Sequence, residues 1–82
     1  MSDLTLYVTD WCPFCASLTE SLAERGVVWN EIDVDRDEAA AEKVRTINGG
    51  NRVVPTVEFS DGTTMTNPTG AQVVAKLAKL KG

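Results

Sequence analysis

The feature that most constrains this chain is Cys12-Pro13-Phe14-Cys15, which sits where the hydrophobic period changes. Before it, Leu4, Leu6 and Val8 alternate with Thr5 and Tyr7, a period of two that predicts a strand. After it, Phe14, Leu18 and Leu22 fall at helical spacing and predict one apolar stripe. Pro13 suits the first helical position, where its missing N–H would have no intrahelical partner, and Gly26 supplies a stop after Arg25. The period then switches repeatedly, as expected of alternating strands and helices. A β-branched run over 27–34 predicts a second strand, and Asp35 with Glu38 predicts a capping box opening a helix over 39–47. Asn48-Gly49-Gly50-Asn51 ends that helix. Thr56 to Phe59 predicts a third strand, Asp61-Gly62 a hairpin turn, and Thr63 to Thr66 a fourth strand. Asn67 is expected to cap a last helix with Pro68 at its first position. Val74, Leu77 and Leu80 would face inward there, and Lys76, Lys79 and Lys81 outward. The order is β-α-β-α-β-β-α: a right-handed β-α-β unit, then a hairpin and a helix. We expect one α/β domain over 1–82, without repeat, linker or low-complexity segment.

Composition removes several function classes. At 82 residues there is room for one small domain and no separate cofactor domain. Hydrophobic residues at 43% and charged residues at 24% match a folded globular chain. Eight Lys plus Arg against twelve Asp plus Glu give a formal charge of −4, which argues against a nucleic-acid partner. No histidine is present, so His-based acid–base chemistry, Cys-His and Ser-His pairs and His-ligated metals are all excluded. Apolar runs fall far short of the ~20 residues that span a bilayer, so no membrane partner is expected. Met1-Ser2-Asp3-Leu4 lacks a basic region followed by an apolar run. Two cysteines three apart are also a poor staple for an extracellular domain. A cytoplasmic location is therefore expected.

The cysteine pair carries the chemistry. With Pro13 opening the helix, Cys12 is its cap, and its sulfur lies beside the free N–H groups of the first turn. Those donors and the positive end of the helix dipole stabilise a thiolate, the nucleophile of thiol–disulfide exchange. This is how a chain without histidine can activate a cysteine. Cys15, one turn on and more enclosed, can close a disulfide with Cys12. We therefore expect Cys12 to attack and Cys15 to resolve. A zinc knuckle would need four ligands, and only a dimer pooling cysteines could supply them. Inert packing remains open for Cys15. Asp10 would oppose the thiolate if its carboxylate faced the sulfur, but it is expected to face water.

On these residues the chain resembles the glutaredoxins across essentially its full length. Trp11-Cys12-Pro13-Phe14-Cys15 after the first strand and Val53-Val54-Pro55-Thr56 before the third carry the resemblance. It implies a thioredoxin-like fold, a mixed four-stranded sheet flanked by three helices. It also implies that Pro55 is cis and faces Cys12, and that Val54 offers its backbone to the bound thiol. Two departures concern the glutathione site. Thr9-Asp10-Trp11 stands where many glutaredoxins have a lysine, and Met65-Thr66-Asn67-Pro68-Thr69 stands where they have a Gly-Gly pair and an acid. Hydroxyl and amide groups in place of charges suit a neutral, sugar-bearing thiol better than a charged peptide.

The run from Asn48 to Val57, with Asp61-Gly62-Thr63 and Thr66-Asn67-Pro68, is similar to the mycoredoxin branch of that family. The similarity implies mycothiol, a cysteine joined to an amino-sugar and inositol, as co-substrate. Mycothiolated proteins would be the substrates. Electrons would come from NADPH through a mycothiol disulfide reductase, so no bound cofactor or metal is expected, and the chain is expected to act as a monomer. Trp11, Pro13 and Phe14 would form apolar walls for a partner, although Phe14 serves equally as an anchor of the helix stripe. Arg52 could hold a polar group of the ligand or lie solvated in its loop. Thr66, Asn67 and Thr69 could hydrogen-bond the sugar. Trp29 is expected in the core, and Asp33, Asp35, Asp37 and Glu38 in solvent at the start of the second helix. Two other readings stand beside this one. One is a dithiol carrier fed by thioredoxin reductase that donates to ribonucleotide reductase. The other is a dimer bridging a two-iron two-sulfur cluster through Cys12, an arrangement that the stiff Pro13 disfavours by family analogy.

Overall fold

The structure, a computed structural model, describes residues 3–81. Of the expected 1–82 domain, Met1, Ser2 and Gly82 lie outside the described residues. The elements are β1 (Leu4–Val8), α1 (Pro13–Glu24), β2 (Asn30–Asp33), α2 (Glu38–Ile47), β3 (Thr56–Phe59), β4 (Thr64–Thr66) and α3 (Gly70–Lys81). They build the thioredoxin-like architecture, a mixed sheet in the order β2-β1-β3-β4 with three helices. β1 runs parallel to β2 and antiparallel to β3, and β3 runs antiparallel to β4.

β1 is buried on both faces, which explains its composition. Leu4, Leu6 and Val8 point into one core with Cys12, Cys15, Leu18 and Leu22 of the α1 segment, Val57 and Phe59 of β3, and Val73 of α3. Tyr7 points the other way, into a smaller core with Val34 and with Ala40, Ala41 and Val44 of α2. Helices thus cover the two faces, and removing a fully buried leucine such as Leu22 from water contributes roughly 2 to 3 kcal/mol.

The register gathers four loops at one end of the sheet. Tyr7 pairs with Thr56, so the chain leaving β1 emerges beside the chain entering β3. Val8 pairs with Asp33 in parallel, so the chain leaving β2 emerges there too. Thr66 pairs with Thr56, which brings Asn67 to the same end. This is the carboxyl end of β1 and β2, where open α/β sheets place their ligands.

Local expectations fail at four points. The second strand is shorter than 27–34, because Val27 belongs to the exit of α1. Gly26 at φ 74° turns the chain, its N–H bonds the Ala23 carbonyl at 3.1 Å, and the Val27 N–H reaches back to Leu22 at 3.0 Å. Those two bonds form a Schellman motif that uses the apolar residue as its hydrophobic contact. The cap of α2 is Asp37 rather than Asp35: Asp37 Oδ1 accepts the Ala40 N–H at 3.0 Å. The last helix is capped by Thr69 rather than Asn67. Thr69 Oγ1 accepts the Gln72 N–H at 3.1 Å while Gln72 Oε1 accepts the Thr69 N–H at 2.8 Å, a reciprocal capping box. Asn67 sits at φ 49°, and Pro68 precedes the helix. Phe14 does not anchor the α1 stripe; the buried positions are Cys15, Leu18 and Leu22. Among the described residues no helix is long and apolar enough to cross a membrane.

Candidate active site

Cys12 occupies the N-cap of α1 with extended backbone, followed by Pro13 at the first helical position. Its Sγ accepts the backbone N–H of Cys15 at 3.1 Å and lies 3.7 Å from the Val54 carbonyl oxygen, to which a thiol proton can be donated. A deprotonated sulfur keeps the first bond and gives up the second, so the site offers the thiolate a charge-assisted donor. Cys15 is held differently. Burial, with the hydrogen bond to Cys12 second, pushes its thiol up to about 12, against a smaller opposing effect of the Thr9 backbone N–H. The expected difference in enclosure is slight, 5% exposure for Cys12 and 3% for Cys15; what separates the two sulfurs is position, Cys12 at the cap accepting the Cys15 N–H. Both thiols are free.

Val54-Pro55 is cis, as the resemblance implies, with Pro55 fully buried and Val54 half-buried beside the sulfur. Trp11, just before Cys12, and Phe14, within the motif, are 69% and 64% exposed, large apolar side chains presented to solvent around a nearly buried sulfur. Asp10 faces water, and its carboxylate pairs with Arg36 at 3.3 Å rather than opposing Cys12. Behind the pair, a cavity of about 130 Å³ is lined by Thr9, Asp10, Cys12, Cys15 and Glu31 among others. The buried hydroxyl of Thr9 has no hydrogen-bond partner.

The other expected residues divide into two groups. Arg52 is brought to the rim, but its guanidinium is engaged by Asp35. Asn67 is joined to the cis-proline loop by its N–H on the Pro55 carbonyl at 2.8 Å, which sets this loop beside Val54. The Thr66 and Thr69 hydroxyls already have protein partners. Thr66 Oγ1 bonds Asn48 Oδ1 at 2.5 Å, and Thr69 Oγ1 caps α3. Trp29 is only partly buried against the core, its ring N–H donating to Glu31 at 3.2 Å. Sequence reasoning missed Asp35, which accepts the Trp11 ring N–H at 2.8 Å as well as binding Arg52. Trp11, Asp35 and Arg52 are far apart in the chain, so no local spacing signals the contact. Among the described residues no group of three or more Cys, Asp or Glu is arranged to hold a metal ion.

Comparison with known proteins agrees with this geometry. A family model described as Glutaredoxin matches residues 4–63. Mycoredoxin 1 of Corynebacterium glutamicum is 54% identical over 80 residues, covering 98% of this chain and 99% of the relative. Among solved structures, the glutaredoxin of Archaeoglobus fulgidus superposes with a TM-score of 0.75 at 25% identity, over 92% of this chain and 85% of that one. The glutaredoxin-like NrdH-redoxin of Escherichia coli, described there as having a thioredoxin-like activity profile, gives 0.75 at 26% identity, over 88% and 91%. The chain belongs to the glutaredoxin family and is a thiol–disulfide oxidoreductase.

Proposed function

We propose that the chain is a mycothiol-dependent oxidoreductase of the cytoplasm that reduces mixed disulfides between mycothiol and proteins. The observation that carries the reading is the Cys12 sulfur, capping α1 under the Cys15 N–H in a motif with two exposed aromatic side chains, Trp11 and Phe14. In the first step the Cys12 thiolate attacks the mycothiol sulfur of the mixed disulfide. A Cys12–mycothiol disulfide forms, and the protein thiolate leaves and takes a proton. In the second step the thiolate of another mycothiol attacks the mycothiol sulfur on Cys12, giving mycothiol disulfide and free Cys12. Alternatively Cys15, once deprotonated, attacks Cys12 and expels mycothiol, leaving a Cys12–Cys15 disulfide. The raised Cys15 thiol favours the first exit near neutral pH. Mycothiol disulfide is returned to thiol by an NADPH-dependent reductase, so the carrier holds no cofactor of its own. The choice of mycothiol is supported by the relative named Mycoredoxin 1 and by a rim whose two arginines are both neutralised by carboxylates. Within this reading Val54 and Pro55 present backbone to the bound sulfur. Trp11, Pro13 and Phe14 pack against the partner, and Arg52, Thr66, Asn67 and Thr69 line the sugar side.

The test uses a mycothiolated peptide with excess mycothiol and its reductase. Cys12→Ser is expected to abolish turnover and Cys15→Ser to retain it; two equally dead variants would sink the one-cysteine route. The NrdH-redoxin neighbour favours a second reading, a dithiol carrier fed directly by thioredoxin reductase. Reduction of the protein by that flavoenzyme without any small thiol would support it.

A further inference from the structure

The carboxylate of Asp35 is fully used at the rim of the site. Oδ2 accepts the Trp11 ring N–H at 2.8 Å, and Oδ1 pairs with the Arg52 guanidinium. Both partners belong to segments that touch the reacting sulfur. Trp11 directly precedes Cys12, and Arg52 stands two residues before Val54, whose carbonyl faces Sγ. The Asp35 and Arg52 side chains are each about a third exposed, so the pair is partly shielded from water. On the same end of the sheet Arg36 is shared by Asp10 at 3.3 Å and Asp33 at 3.5 Å. Three carboxylates therefore face two guanidiniums, and neither guanidinium is free.

We propose that Asp35 is a specificity-determining residue: by engaging Arg52 beside Trp11 it denies a cation to the carboxylates of an anionic peptide thiol. This deepens the reading of the site as one for a neutral, sugar-bearing thiol, and rests on it, by naming the side chain that enforces the choice. Two effects act together. An incoming carboxylate must displace Asp35 from Arg52 to gain an ion pair, so the exchange yields little. It also meets the surplus negative charge of the rim, which repels it over the Debye length. A thiol that carries hydroxyl groups encounters neither obstacle.

Asp35→Asn is the informative change. Its amide oxygen can still accept the Trp11 N–H, and the backbone N–H that bonds Asp33 at 2.9 Å is untouched, but the charge holding Arg52 is gone. The probes are one peptide carrying a mixed disulfide with glutathione and the same peptide carrying one with uncharged 2-mercaptoethanol. With pre-reduced protein as the stoichiometric reductant, the ratio of single-turnover second-order rate constants for the glutathione substrate over the uncharged one is expected to rise roughly three- to tenfold in D35N, and the gain to shrink at high salt. Arg52→Gln in the D35N background is expected to cancel the gain. Asp10→Asn removes an equal charge nearby but leaves Arg52 paired, and is expected to move the ratio less than half as far. An unchanged ratio in D35N, a gain that survives R52Q, or an equal gain in D10N overturns the proposal. Asp35→Ser repeats the test should thermal melting show D35N unfolded. An invariant ratio would defeat the role of Asp35 alone, whereas the mycothiol reading alone is defeated if wild-type protein reduces the glutathione mixed disulfide as well as the mycothiol one.

Discussion

At the Cys12 sulfur two opposing hydrogen bonds meet. The Cys15 N–H points at its sulfur, Asp10 turns away to Arg36, and the Val54 carbonyl accepts only while the proton remains. Burial raises the Cys15 thiol. This has a consequence for stability. A thiol raised in the folded state from its ordinary 9.0 to about 12 contributes stability that is fully present below the lower value. That contribution is lost as pH rises toward the upper one, because the unfolded chain releases its proton first. Cys15→Ser is therefore expected to flatten the alkaline decline of the melting temperature while leaving the neutral region with its own offset. Parallel alkaline limbs in wild type and variant would contradict the account.

Among the elements, α1 and α3 meet at a contact that a single methyl group tests. A Cβ on Gly70 would clash with Ser21 Oγ and lie 3.0 Å from Ser21 Cβ. Gly70→Ala is expected to lower stability by about 1 kcal/mol despite the better helix propensity of alanine, as overpacking forces the two helices apart. Ser21→Ala in the same chain should recover part of the loss, measured by thermal or urea unfolding. A G70A protein as stable as wild type would contradict the close approach. Elements were legible in the sequence where their signals are local. Pro13 and Gly26 mark both ends of α1, and Asp61-Gly62 marks the hairpin. They were misread where two candidates compete. Asp35 and Asp37 are equally good caps by composition, and Asp35 is drawn away by Trp11 and Arg52, which only the tertiary fold supplies. Asn67 and Thr69 compete likewise, and Gln72 decides for Thr69 by closing the capping box. The overextended second strand has the same origin, because Val27 is apolar for the sake of the α1 exit.

At the scale of the whole molecule, register and parity do most of the work. One central strand pairs in parallel on one side and antiparallel on the other, so the cysteine loop, the Asp35 turn, the cis-proline loop and Asn67 come together at one end. The cysteine pair and Pro55 were visible in the chain as motifs. The occupied state of Arg52, Thr66 and Thr69 was not, because Asp35 and Asn48 lie far from Arg52 and Thr66 in sequence, and Thr69 caps α3 where Asn67 was expected. Under the proposed function the Cys12 sulfur is a nucleophile beside exposed aromatic side chains on an acidic rim, in a chain of net charge −4. Such a frame suits a thiol that brings hydroxyl groups rather than carboxylates. The most direct test is steady-state reduction of a mycothiol mixed disulfide beside its glutathione counterpart by the Cys15→Ser protein, each coupled to its own reductase. Turnover through Cys12 alone is expected, with a clear preference for mycothiol. Equal or better turnover of the glutathione substrate would contradict the mycothiol assignment, and failure on both would contradict the one-cysteine mechanism.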